Sequence, residues 1–376
     1  MEINYSAIKE QKLFHRYINN DHIEPLLPNL SDEFTIDKIG YSVKSDPIYG
    51  IKIGTGTKKV LLWSQMHGNE STTTKAIFDL FNYFRSEKNI LAKCTLFFIP
   101  ILNPDGAKAY TRVNANNVDL NRDAQNLSQP ESKVLRGVFN DFKPDYCFNL
   151  HGQRTIFSAG NTNNSAVLSF LSPAQDEKCS ITNNRKEAME IIAIINKMLQ
   201  EIIPNQVGVY DNTFNINCVG DTFQSFNIPT ILFEAGHFPN DYEREETRRL
   251  IFLSLLKALT EISTNDNLGG NYTPYLDIPE NEKLFFDIII REASVNNSSN
   301  QSIMDIAIHY EEVLIGDRIE FIPKIKKVGD LSNYHAHREI SANKKELLLP
   351  DDVTLNVENS IDFVTIANIK YSLNLR

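Results

Sequence analysis

Between Val60 and Ile262, short apolar runs alternate with longer segments of helical periodicity, and this rhythm restricts the fold more than any other feature of the chain. Val60–Gln65, Thr95–Leu102, Asp145–Leu150 and Thr230–Phe233 read as strands. Thr72–Phe84, Glu131–Phe142, Lys186–Ile203 and Tyr242–Ile262 carry apolar side chains at helical spacing. Ser71 or Thr72 is expected to cap the first helix, and Pro204 ends the third. Strands alternating with helices imply an α/β fold, a mostly parallel mixed sheet flanked by helices on both faces.

The flanks differ. Residues 1–50 read as a helical arm, irregular chain and a short strand over Thr35–Val43. After Ser263 comes a Gly- and Asn-rich joint, Asn265–Pro274. Strand-like runs follow at Leu284–Ile290, Ile303–Ile308, Arg318–Ile325, Glu346–Leu349 and Phe363–Leu373, separated by turn formers such as Asn296–Asn300. The expected organisation is an α/β domain over 1–264, with 1–50 as its arm, and a smaller C-terminal β-rich domain over 270–376.

Four polar phrases lie at or just beyond the strand ends: His67-Gly68-Asn69-Glu70, Asn103-Pro104-Asp105-Gly106, His151-Gly152 and Glu234-Ala235-Gly236. Open α/β sheets bind ligands beyond the carboxyl ends of their strands, so one rim would receive all four. His67, Glu70 and His151 would offer two imidazoles and a carboxylate to one cation. Three protein ligands with a fourth position open describe a catalytic rather than a structural zinc, one that lowers the pKa of a water to about 7. Taken singly, each residue has a plainer alternative. His67 and Glu70 could sit on the surface of a helix start, and His151 could be a strand end hydrogen-bonded to backbone.

The net charge of −10 argues against nucleic acid as a partner, since phosphate binding needs a basic face. The N-terminus lacks an apolar signal-peptide core, and no run of ~20 apolar residues is present, so no membrane span is expected. Cys94, Cys147, Cys179 and Cys218 are widely spaced, which suits a reduced, cytoplasmic chain.

The ordered set His67-x-x-Glu70, Arg112, Asn121-Arg122, His151 and Glu234 resembles the zinc carboxypeptidase (funnelin) family over roughly residues 50–262. The most specific part is the block from Arg112 through Asp119-Leu120-Asn121-Arg122. The resemblance implies a zinc-peptidase-like fold, one Zn2+ per chain, and a peptide substrate with a free carboxylate. It gives Glu234 the role of general base and then acid, and Arg112 that of stabilising the oxyanion. Asn121 and Arg122 would hold the terminal carboxylate, a guanidinium fork matching its two oxygens. Tyr210 is the nearest candidate for the family's active-site tyrosine. Asp221, in a segment like the specificity loop, would favour a basic or amino-bearing side chain. Alternatives stay open: Glu234 as a buried strand-end residue paired with an Arg, Arg112 as a solvated turn residue, Arg122 as a partner of Asp119 or Asp123, Tyr210 as a core residue, and Asp221 as a turn former. Asp119 is expected to support its loop, and His237 likewise. Two strand histidines, His335 and His337, read as surface residues, and His15, His22 and His309 have no supporting context.

The succinylglutamate desuccinylase and aspartoacylase group shares the His-Gly-Asn-Glu, Asp-Leu-Asn-Arg and Leu-His-Gly phrases and a following β-rich domain. Cleavage of an N-acyl amino acid is therefore the second reading. A non-catalytic peptide-binding module is the third, expected only where a ligand or base is lost.

Overall fold

The computed structural model describes residues 4–30, 32–297, 300–350 and 353–375. It divides into two compact units, residues 1–153 with 166–281 and residues 154–165 with 282–376.

The first unit is built on an eight-stranded sheet. Its strands in chain order are β1 (Thr35–Tyr41), β2 (Pro47–Ile53), β3 (Lys58–Ser64), β4 (Cys94–Ile99), β5 (Tyr146–Gly152), β6 (Leu168–Leu171), β7 (Val207–Val209) and β8 (Thr230–Ala235). The spatial order is β1-β2-β4-β3-β5-β8-β6-β7. The central run β4-β3-β5-β8 is parallel, β6 and β7 pair parallel, and the remaining pairs are antiparallel. The sheet is therefore mixed, with its parallel strands in the middle where both faces are covered.

Alternate side chains of β3 show that cover. Val60 and Leu62 enter a core with α1 (Thr72–Phe84), α4 (Asn183–Gln200) and α6 (Glu245–Thr264), while Leu61 and Trp63 face α3 (Pro130–Phe142) and α5 (Val219–Ser225). A sixth helix, α2 (Pro104–Ala109), opens on Pro104 and is capped by Asn103, whose side chain accepts from the Gly106 amide. The helix over Thr72–Phe84 has the bounds its periodicity predicts, but its cap differs. Ser71 sits at the N-cap without a capping bond, because its hydroxyl donates instead to the Arg16 carbonyl.

Three strands escape the periodicity argument. Pro47–Ile53 mixes Pro, Gly and Lys with its apolar residues, and Leu168–Leu171 and Val207–Val209 are too short to show a period. Tertiary pairing creates them.

The N-terminal segment is docked along α1 by buried charge. Arg248 and Asp79, both fully buried, form a two-pronged ion pair at 2.6 and 2.7 Å. Asp79 also accepts from Tyr5 Oη and the Glu10 amide, and Arg248 donates to the Leu13 and Glu10 carbonyls.

The second unit has a four-stranded sheet of β9 (Phe285–Asn297), β10 (Asn300–Ile315), β11 (Arg318–Gly329) and β12 (His335–Ser341), in the order β11-β10-β9-β12. Ile288, Ile290, Ile306 and Ile308 fill its core. A small sheet joins β13 (Leu347–Leu348), β14 (Phe363–Ile366) and β15 (Ile369–Ser372). The single run expected over Phe363–Leu373 is a hairpin, because Ala367 and Asn368 both adopt positive φ, 50° and 65°. Of the turn expected at Asn296–Asn300, residues 298–299 lie outside the described residues.

His337 is partly buried rather than a free surface residue: its ring stacks on Phe285 at 4.9 Å and Nε2 lies 2.8 Å from the Thr155 carbonyl. His309 pairs with buried Asp287 at 2.9 Å. Among the described residues no helix is long and apolar enough to cross a membrane, and the four cysteines are free thiols.

Removing one partner of a buried ion pair strands the other charge, so Arg248→Met should lower unfolding free energy by about 3–5 kcal/mol in urea titration. A loss under about 1 kcal/mol would show that the pair does not hold the N-terminal segment in place.

Candidate metal centre

Three parallel strands end together. Ser64 of β3 is in register with Leu150 of β5, and His151 and Gly152 are in register with Glu234 and Ala235 of β8. The chain leaving β3 turns through residues 65–70, closed by the Glu70 amide donating to the His67 carbonyl at 3.1 Å. The turn after β4 packs against it, through backbone bonds from Leu102 to Ser64 and from Asn103 to Gln65. Contact is so close that a Cβ on Gly68 would lie 2.0 Å from the Gly106 carbonyl carbon. Gly236 is similarly confined, a Cβ there meeting the Ala166 oxygen at 2.2 Å. Buried Arg244 donates to the carbonyls of Gln153, Ala235 and Gly236 and so fixes the chain around Glu234.

At this rim Glu70 lies between two imidazoles. Oε1 is 2.9 Å from His67 Nδ1, Oε2 is 2.9 Å from His151 Nδ1, and the two Nδ1 atoms are 3.0 Å apart. The Gly152 amide donates to Oε2 at 3.0 Å. Ligand atoms of the three residues all lie within 4.8 Å of one another, the one such cluster among the described residues. On its far side His67 Nε2 meets Asp119 Oδ1 at 3.0 Å. A carboxylate on the outer nitrogen is the usual arrangement that orients a metal-ligating imidazole. Two buried atoms at the rim, His151 Nε2 and Glu234 Oε2, have no hydrogen-bond partner among the described residues. Two nitrogens and a carboxylate converging on one point, with orphaned polar atoms beside them, fit a divalent cation such as zinc.

The electrostatics are those of crowded, buried charge. Burial disfavours the charged form of His67, but Glu70 and hydrogen bonds to Asp119 and Glu70 outweigh it and raise its pKa to about 9. Burial also opposes ionisation of Glu70, and His67 and His151 overcome it, holding that carboxyl well below the usual range. Asp119 is lowered too, its burial outweighed by the bond to His67 and by Arg112. His151 is lowered by burial. Glu234 is raised well above the ordinary carboxylate value, first by burial and then by the charge of Glu70.

Arg112 is half exposed and grips Asp119, with Nε and Nη2 each 3.1 Å from Oδ2 and Nη1 3.4 Å from Glu70 Oε1. Asp119 thus joins His67 to Arg112, and Asn121 N also donates to it. Asn121 Oδ1 accepts from the Val219 amide at the start of α5, and exposed Arg122 donates to the Asn121 carbonyl, not to Asp119 or Asp123. Asp221 lies on α5, accepts from the Asn215 amide, and is pushed up to about 6 by burial. Tyr210 follows β7, and its hydroxyl donates to Gln153 Oε1 at 2.8 Å, two residues beyond His151. His237 is buried against the Tyr242 ring, at 4.5 Å.

The structure therefore gathers His67, Glu70, His151 and Arg112, and sets Glu234 beside His151 by strand register. Asn121, Arg122 and Asp221 form a neighbouring group at α5. Sequence reasoning missed the reach of Asp119 to His67, 52 positions away, and the support from Arg244 and Gln153. Only an unexplained polar residue beside each phrase hinted at them.

The zinc carboxypeptidase family model matches residues 21–212. Carboxypeptidase SOL1 of Arabidopsis thaliana is 29% identical over 168 residues, 38% of this chain and 34% of its own length. Probable carboxypeptidase 2 of Trichophyton verrucosum (strain HKI 0517) is 28% identical over 112 residues, 28% of this chain and 21% of its own. These matches span about a third and a fifth of the curated relatives' lengths. Among solved structures, a metallo-carboxypeptidase from Burkholderia cenocepacia superposes with TM-score 0.52 at 16% identity, covering 66% of this chain and 70% of that one. A Pseudomonas aeruginosa metallo-carboxypeptidase gives 0.51 at 16% identity, covering 65% and 70%. At such identities the likeness is one of fold. With the family model covering half of its length, the chain belongs to the zinc carboxypeptidase family.

Proposed function

We propose that this protein is a zinc-dependent metallocarboxypeptidase, with one zinc per chain, that hydrolyses the C-terminal peptide or amide bond of a substrate bearing a free carboxylate. The observation that carries the reading is the Glu70 carboxylate set between the Nδ1 atoms of His67 and His151, in a chain of this family. His67, Glu70 and His151 would hold the ion. Zinc there supplies a Lewis acid that polarises a carbonyl and acidifies a water.

The chain's own groups do the rest. Glu234 is a buried carboxyl with a raised proton affinity. Its Oε2, free of other bonds, takes a proton from the attacking water and passes it to the leaving amine. Arg112, steered by Asp119, presents its guanidinium to the oxygen on which charge develops. Arg122, exposed at the α5 end of the site, and Asn121 bind the terminal carboxylate. Tyr210, its hydroxyl bonded to Gln153, is the tyrosine that contacts the bound substrate. Asp221 reads a basic or amino-bearing side chain.

Two measurements follow. Glu234→Gln removes the proton carrier and leaves the three metal ligands intact. It should lower kcat by about 10²–10⁴-fold on a peptide panel while the protein retains its zinc; full activity would remove Glu234 from this role. The panel includes N-acyl amino acids, and turnover confined to those would replace peptidase with amidohydrolase.

The second concerns Asp221. With its pKa raised to about 6, the carboxyl is neutral below that value and ionised above it. Preference for C-terminal Lys or Arg over Leu, as a ratio of kcat/KM, should therefore rise between about pH 5 and 7. Asp221→Asn should flatten that rise, and an unchanged profile in the variant would release Asp221 from specificity.

A further inference from the structure

Gln65 occupies an unfavourable backbone position for its residue type. It follows the last residue of β3, two positions before His67, with φ of 44°. That left-handed region favours glycine. Something in the side chain must offset the cost, and the side chain is fully buried.

Its amide is fully used. Nε2 donates to the Gly68 carbonyl at 2.7 Å and to the Ile18 carbonyl at 2.9 Å, and Oε1 lies 2.8 Å from the Thr74 hydroxyl. One side chain thus ties together the middle of the His67–Glu70 turn, the N-terminal segment and the first turn of α1. Around it, α1 presents a polar stripe to the same segment. Ser71 donates to the Arg16 carbonyl, Lys75 to His15, and, farther from the rim, Asn82 to Ile8 at 3.1 Å. The segment is anchored along the helix, and its site end meets the turn through Gln65.

We propose that Gln65 is a positioning residue, whose buried amide pins the turn carrying His67 and Glu70 to Ile18 of the N-terminal segment. This rests on the metal reading above. It adds that the geometry of two of the three ligands depends on a segment outside the strand–helix core. Removing the amide leaves the Gly68 and Ile18 carbonyls buried without their donor, and the turn is freed to move Nδ1 and the carboxylate out of convergence. Outer partners of metal ligands typically govern affinity by 10–100-fold.

The test uses the full-length chain, stripped of metal and titrated with zinc against a chromogenic chelator. Gln65→Leu should bind zinc about 10–100-fold more weakly than the parent, with its circular dichroism retained. Hydrogen exchange in the metal-free protein should quicken over residues 67–70 and 16–18 together. Gln65→Gly relieves the backbone while deleting the amide, and should lose the same affinity. Asn82→Leu, which cuts an anchor remote from the turn, should bind zinc as the parent does. Parental affinity in either Gln65 variant would overturn the proposal, as would loss of fold in both, which assigns Gln65 to stability alone. A parent that binds no zinc would overturn the metal reading itself, an outcome distinct from variants that bind normally.

Discussion

A single carboxylate held between two imidazoles is the constraint around which the rest of the first unit is arranged. Glu70 meets His67 and His151 at 2.9 Å each, and neither histidine is more than 2% exposed. Placing two nitrogens 3.0 Å apart with an anion in dry surroundings is costly unless a positive charge is shared among them. The Glu70 and Asp119 carboxylates beside His67 outweigh its burial and favour its charged form, raising its pKa to about 9. The same arrangement is a ready set of donors for a divalent cation.

Topology explains how residues 84 positions apart come to share one point. Parallel β3 and β5 are neighbours, so their carboxyl ends lie side by side, and β8 adds Glu234 in register with His151. The loop bearing Arg112, Asp119, Asn121 and Arg122 then closes one flank. Asp119 links it to His67, and Asn121 links it to α5. Buried Asn114 keeps that loop compact, donating to Gln129 and Glu131 and accepting from the Asn116 and Val118 amides. The polar rim is thus supported from three directions by groups that are themselves hydrogen-bonded.

Much of this could be read from the residues alone, and the failures have physical causes. Helix Thr72–Phe84 stands out by its helical spacing, and the central strands as continuous apolar runs because both their faces are buried. Pro47–Ile53, Leu168–Leu171 and Val207–Val209 become strands through neighbours distant in sequence, which periodicity cannot register. The phrases around His67, His151 and Glu234 are visible because each breaks an apolar run with polar residues at or just past a strand end, and the Asp119-Leu120-Asn121-Arg122 phrase only through its resemblance to the family's block. Their partnerships are not. Nothing local says that Asp119 reaches His67, that the Gly152 amide supports Glu70, or that Ser71 gives its hydroxyl to the N-terminal segment rather than to a cap. Long-range hydrogen bonds of this kind depend on the folded geometry.

The most direct measurement is diffraction from crystals grown with zinc, recorded on both sides of the zinc absorption edge. One anomalous peak per chain is predicted, at the cluster of His67, Glu70 and His151. A peak elsewhere, or none at that rim in zinc-saturated crystals, would contradict the assignment.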